Sequence, residues 1–203
     1  MYDVPQIESR MRRWAQVARI YLVRHGEASA HWTDADDPGL SALGGEQARA
    51  AAERLAPLGP LAIASSPLKR ARETAAPLET VWQATAHIVD AVAEIPSRGV
   101  SRAERNAWLT RLMQGTWSSA DAELRAWRNA ALDFLVRCGT DIVVFSHYVV
   151  INAAVGAALE RDDFAPFRPA NASVTILDNA GGRLHLIEQG AMGHHRPPVE
   201  PTQ

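Results

Sequence analysis

Two apolar runs, RIYLV at 19–23 and TDIVVFS at 140–146, are hydrophobic on both faces instead of alternating. That is the pattern of strands buried in a sheet covered on both sides. LAIAS at 61–65 reads as a third short strand, and AHIVDAV at 86–92 as a weaker one. Between them the period changes. In LSALGGEQARAAAERLAPLG, Ala48, Ala51, Ala52 and Leu55 share one helical face, and Gly59 and Pro60 close the segment. SPLKRARETAAPLETVW opens a second helix with Pro67 near its first turn, and Pro77 is expected to end or kink it.

From 101 to 138 the spacing is helical, through Trp108, Leu109 and Leu112 and then Leu124, Trp127, Ala131 and Leu135. YVVINAAVGAAL reads as the helix after the strong late strand. SVTILDNAGGRLHLIEQG alternates around Gly181–Gly182, a hairpin signal, and the Gly44–Gly45 pair reads as loop. Strand and helix thus alternate through most of the chain. The expected fold is α/β, a three-layer αβα sandwich around a mostly parallel central sheet.

A length of 203 residues with 47% hydrophobic content suits one domain with a full-sized core, expected over 18–190 with a helical insertion at about 97–120. Residues 1–17, rich in arginine but lacking a signal peptide's apolar stretch, read as an N-terminal extension, and the proline-rich 191–203 as a flexible tail. His194 and His195 then belong to the tail and not to a metal site. A net charge of −2 gives no global field for nucleic acid or an anionic membrane, so anion binding must be local. No apolar run reaches the roughly 18 residues of a membrane span. The single cysteine, Cys138, excludes an internal disulfide and fits a reducing, cytoplasmic setting. Tryptophans 108, 117 and 127 read as core, with an interface between chains as the other use of such residues.

In sheets of this kind ligands sit beyond the carboxyl ends of the strands. Three strand ends here carry unusual chemistry: VRHGE at 23–27, SSPLKR at 65–70 and FSHY at 145–148. One arginine or histidine at such a place is ordinarily a surface or structural residue. Arg24, His25, Arg70 and His147 together, at equivalent strand ends, describe a phosphate or other oxyanion site, because guanidinium forks match phosphoryl oxygens. P-loop, dinucleotide-binding, nucleophile-elbow and zincin motifs do not occur.

LVRHGE at 22–27, LSALGGEQA at 40–48, SSPLKRARETA at 65–75 and VVFSHYVVINAAVG at 143–156, with NASVTIL at 171–177 as a weaker echo, resemble the histidine phosphatase (phosphoglycerate mutase-like) superfamily over about residues 18–190. The resemblance implies phosphoryl transfer without metal or cofactor. His25 is then the nucleophile that becomes phosphohistidine, and Arg24, Arg70 and His147 clamp the phosphoryl oxygens. Gly26 permits a tight turn and close backbone approach. Glu94 is the implied proton donor, with Asp90 as the fallback. Beside cationic groups its pKa would fall unless apolar burial opposes them.

The chain departs from the mutase pattern R-H-G-E-S-x-W-N at Ala28 and His31, and it has EIPSRG where the mutases have E-R-x-Y-G. His31 is read either as an added phosphate donor or as a rim residue. Tyr148 stands where glycine usually follows the second histidine, and either meets substrate or packs at a helix start. Ser146 either bonds His147 or phosphate, or caps the helix. The segment 97–120, with Arg98, Arg102 and Arg105, is expected to overhang the pocket. The favoured expectation is a phosphatase acting on a small phosphorylated metabolite or a phosphoprotein. A mutase and a non-catalytic phospho-ligand module are the alternatives.

Overall fold

The computed structural model describes residues 17–30, 36–97 and 99–193. The N-terminal extension up to residue 16, His31, Arg98 and the tail from residue 194 lie outside them. Six strands form one sheet, β1 (Arg19–Arg24), β2 (Ala62–Ser65), β3 (His87–Ile88), β4 (Ile142–Ser146), β5 (Val174–Asp178) and β6 (His185–Glu188), in the order β3-β2-β4-β1-β5-β6. β1 to β4 run parallel, and β5 and β6 add an antiparallel edge. The hairpin between β5 and β6 turns through Gly181 and Gly182, both at positive φ.

Among the described residues the α-helices are α1 (Ala42–Leu55), α2 (Lys69–Trp82), α3 (Arg105–Met113), α4 (Ala122–Val136) and α5 (Tyr148–Ala158), and all but α3 cover the sheet. Alternation along each strand sorts residues to the two faces. Ile20 and Leu22 of β1 and Val144 of β4 pack against Ala131 and Leu135 of α4 and Ile151 and Ala154 of α5. Val23, Val143 and Phe145 meet Ala51 and Leu55 of α1 and Leu78 and Trp82 of α2 on the other face. Runs that are apolar on both faces therefore supply both cores of the αβα sandwich. A third cluster, around Trp117 and Phe164, joins α3 and α4 to the start of α5. Trp117 is core, with Trp108 and Trp127 partly buried against it. Among the described residues, no helix is long and apolar enough to cross a membrane.

Two local expectations fail. α2 does not end at Pro77 but continues to Trp82. The hydrogen bond that proline forfeits is outweighed by the turn beyond it, where Leu78 and Trp82 are buried and Trp82 Nε1 donates to the Ala56 carbonyl at 3.1 Å. Gly44 and Gly45 are not loop but the first turn of α1, capped by Ser41, whose Oγ accepts from Gly44 N at 3.0 Å.

Asn179 ties the ends of three elements together. Its Oδ1 accepts from Ala18 N at 2.8 Å, and its Nδ2 donates to the carbonyls of Val136 at 3.0 Å and Cys138 at 2.7 Å. It therefore satisfies the end of α4 and the approach to β1 from within the core. Asn179→Leu leaves these groups buried and unpaired, and a loss of about 2–4 kcal/mol is expected in urea or thermal unfolding. A change below about 0.5 kcal/mol would mean that the contacts re-form through water.

Candidate active site

The site follows from strand register. Arg24, the last residue of β1, lies opposite Ser146, the last of β4, so the next residues, His25 and His147, come together with ring centroids 5.2 Å apart. The ladder continues past the strand ends, with His25 N donating to Ser146 O at 2.9 Å and Ser66 N to Phe145 O at 2.9 Å. Arg70, in the first turn of α2, is 6% exposed and reaches His147 with Nη2 at 3.2 Å from Nδ1. Glu94 enters from the loop after β3, its Oε2 3.8 Å from His147 Nδ1 and its side chain 17% exposed. Asp90 is exposed and does not line the cavity.

The hydrogen bonds assign both tautomers. His25 Nδ1 lies 2.7 Å from the Gly26 carbonyl, which only accepts, so Nδ1 carries the proton and Nε2 keeps its lone pair. The pKa of His25 is lowered to about 3, by burial first and then by Arg70, while the Gly26 bond acts the other way. The imidazole is thus neutral across the physiological range. Arg70 can only donate, so His147 Nδ1 accepts, and its Nε2–H donates to Ser66 Oγ at 2.7 Å. Fully buried, His147 is also held neutral, its pKa pushed well down by burial and then chiefly by the charge of Arg70. In this arrangement His147 buttresses Arg70. To meet a phosphoryl oxygen itself, Nδ1 must gain a proton.

Arg24 is held from two sides. Its Nη1 donates to the Pro169 carbonyl at 2.8 Å, and its guanidinium carbon lies 5.3 Å from the centroid of the Tyr148 ring. Tyr148 is fixed in turn by its hydroxyl, which donates to the Phe167 carbonyl at 3.1 Å, so it both lines the cavity and packs. Arg24 Nε is buried with no hydrogen-bond partner among the described residues. A buried donor left unpaired is costly, and an oxyanion in the cavity is the acceptor such a donor fits.

Burial raises the pKa of Glu94, against the Ile95 N–H, the charges of Arg70 and Arg24, and the Val149 N–H. Burial is the largest influence, so the net shift is upward despite two guanidinium neighbours. Ser146 does something not expected of it: its Oγ donates to the Val92 carbonyl at 2.8 Å, bonding neither His147 nor the cavity. It thereby pins the loop that delivers Glu94.

Packing within the chain also requires a glycine at 26. A Cβ there would sit 2.5 Å from the Gly44 carbonyl oxygen, and one on Gly44 would sit 2.1 Å from that of Glu27. The close approach is to the N-terminus of α1. Sequence reasoning passed over Thr74 and Asn171, which hold the 24–26 turn. Thr74 Oγ1 accepts from Gly26 N at 3.0 Å, and Asn171 Nδ2 donates to the His25 carbonyl at 3.1 Å. Asn171 lies in the NASVTIL echo, the only signal that pointed to it. The side chain of Arg102 falls outside what is described. Arg105 Nη1 lies 3.6 Å from an Asp36 carboxylate oxygen.

Imidazole and carboxylate donor atoms of His25, Glu94 and His147 lie within 4.8 Å of one another, a set able to ligate a cation. Two guanidinium groups share that space, and their charge opposes a dication and attracts an oxyanion. Fold and site together define a phosphoryl-binding α/β protein with its histidines at the carboxyl edge of the sheet. A model of the histidine phosphatase superfamily, branch 1, matches residues 20–191, and the chain belongs to that family.

Solved structures repeat the fold. Mycobacterial glucosyl-3-phosphoglycerate phosphatase is 23% identical with a TM-score of 0.67, the match covering 87% of this chain and 100% of that one. Phosphoserine phosphatase from Entamoeba histolytica, in complex with 3-phosphoglyceric acid, is 22% identical with a TM-score of 0.69, over 86% and 98% of the two chains. Among curated proteins nothing matches the chain.

Proposed function

We propose that this protein is a phosphomonoester hydrolase that works through a phosphohistidine on His25 and needs no metal. The observation that carries the reading is the pairing of a neutral His25, its Nε2 lone pair free, with the buried guanidinium of Arg70 and the half-buried one of Arg24, whose buried Nε is an unpaired donor among the described residues. Nε2 attacks phosphorus in line, the P–O ester bond breaks, and the protonated Glu94 carboxyl gives its proton to the leaving oxygen. Water then attacks the phosphohistidine, Glu94 takes back a proton, and the N–P bond breaks to release phosphate. Arg24 and Arg70 stabilise the charge that spreads over the phosphoryl oxygens.

Similarity to enzymes that act on glucosyl-3-phosphoglycerate and phosphoserine supports a small phosphorylated metabolite as substrate. Cys138, its thiol pushed up to about 11 by burial, is an unreactive thiol suited to the cytoplasm. The His25–Glu94–His147 cluster favours one other reading, a hydrolase with a cation among these groups. Phosphate release from a panel of phosphomonoesters, with and without EDTA, separates the two. Turnover is expected to persist in EDTA and to be inhibited by vanadate, which mimics pentacoordinate phosphorus. Turnover lost in EDTA and restored by a divalent cation would favour the metal reading.

A further inference from the structure

The cavity above the clamp measures about 880 Å³, far more than a phosphoryl group occupies. It falls in the range of roughly 300–1,000 Å³ that encloses a drug-sized ligand. Arg24, His25 and Arg70 hold one part of it, and most of the remaining lining is apolar.

α3 explains why. It has no fully buried residue, yet it carries two apolar pairs at one-turn spacing. Trp108 and Leu112 pack into the cluster around Trp117 and Phe164, Leu109 lines the cavity, and Met113 does both. Ile95, Tyr148 and Val149 join them there. Charge points the same way. Outside the clamp and the acid Glu94, the charged lining residues among those described are Arg168 and Glu27, which have opposite sign. Glu27 is held in place by Ser41, whose Oγ donates to its Oε1 at 2.9 Å. A carboxylate on the substrate would therefore meet no net positive charge from this pair, while an apolar body would cover Leu109 and Met113.

We propose that the substrate is a phosphomonoester whose alcohol carries an uncharged, apolar body of ring or short-chain size, seated against Leu109, Met113 and Ile95. Small acidic alcohols such as glycerate or serine are the poorer fit. This inference rests on the phosphatase reading above.

The test compares kcat/KM in EDTA for hexyl phosphate and 2-phenylethyl phosphate with that for phosphoserine and 3-phosphoglycerate. All four release primary alkoxides, and the acidic pair has the slightly better leaving groups, so leaving-group chemistry works against the expected result. The apolar esters are expected to be preferred on the order of 10- to 100-fold. The double substitution Leu109→Asn with Met113→Gln, on partly exposed positions, is expected to bring that ratio down towards one. Equal or better turnover of the acidic esters, abolished by His25→Ala, would overturn the apolar substrate and leave the phosphatase standing. Hydrolysis of p-nitrophenyl phosphate without hydrolysis of either apolar ester would overturn it as well. No turnover of any ester, together with no vanadate binding, would remove the phosphatase reading and this inference with it.

Discussion

Replacing His25 with alanine is expected to lower kcat by about four orders of magnitude or more, the scale seen when a covalent nucleophile is deleted. No neighbouring group is poised to substitute. His147, the other imidazole, spends Nδ1 on Arg70 and Nε2 on Ser66, and it is fully buried. His25 by contrast is 8% exposed and lines the cavity, with Nδ1 tied to Gly26 and Nε2 left as the attacking atom. Its pKa of about 3 means that acid does not protonate it until far below neutrality, so in kcat/KM this group limits activity only near pH 3 and lower. Rapid quench with ³²P-labelled substrate is expected to trap an acid-labile phosphoenzyme in wild type and none in the variant. Circular dichroism and phosphate binding check that the variant is folded with its clamp intact. A labelled variant, or turnover above about 1% of wild type, would move the nucleophile elsewhere.

Glu94→Gln is expected to slow esters with alkyl leaving groups by about 10²–10³ in kcat/KM, and p-nitrophenyl phosphate by less than about tenfold. The difference arises because an alkoxide must be protonated as it leaves, whereas p-nitrophenolate departs without help. The pH profile supplies a second readout. Burial raises the Glu94 pKa, so the acid form dominates below that raised value and is lost as pH climbs through it. Wild-type kcat/KM on alkyl esters should therefore fall on the alkaline side. The glutamine variant, which cannot titrate, should lack that limb. Equal losses on both ester types, or an unchanged alkaline limb, would take Glu94 out of the acid role and bring Asp90 back into question, although Asp90 is exposed and away from the cavity.

Much of the fold was legible because burial on both faces leaves a plain mark. RIYLV and DIVVFS had no polar face to turn outward, so they had to be interior strands, and β1 and β4 are neighbours at the middle of the sheet. The hairpin at Gly181–Gly182 was legible because its turn needs positive φ, which glycine adopts without cost. Pro77 and Gly44–Gly45 misled, since local propensity there is overridden by contacts with distant segments: Trp82 on the Ala56 carbonyl, and the Glu27 backbone against Gly44. Ser146 misled in the same way, its partner Val92 being 54 residues away.

What the amino-acid order determined by itself is which side chains stand at the strand ends. Apolar runs dictate the strands, parallel strands bring their carboxyl ends to one edge, and Arg24, His25, Arg70 and His147 are written at those ends. Only the tertiary structure decided their chemical state: which nitrogen of His25 is bare, that the pKa values of both imidazoles are lowered and that of Glu94 raised by burial, and that Leu109 and Met113 line the cavity. Protonation and lining depend on desolvation and on charges across space, and the groups responsible are set by packing between segments far apart in the chain, which no local pattern encodes.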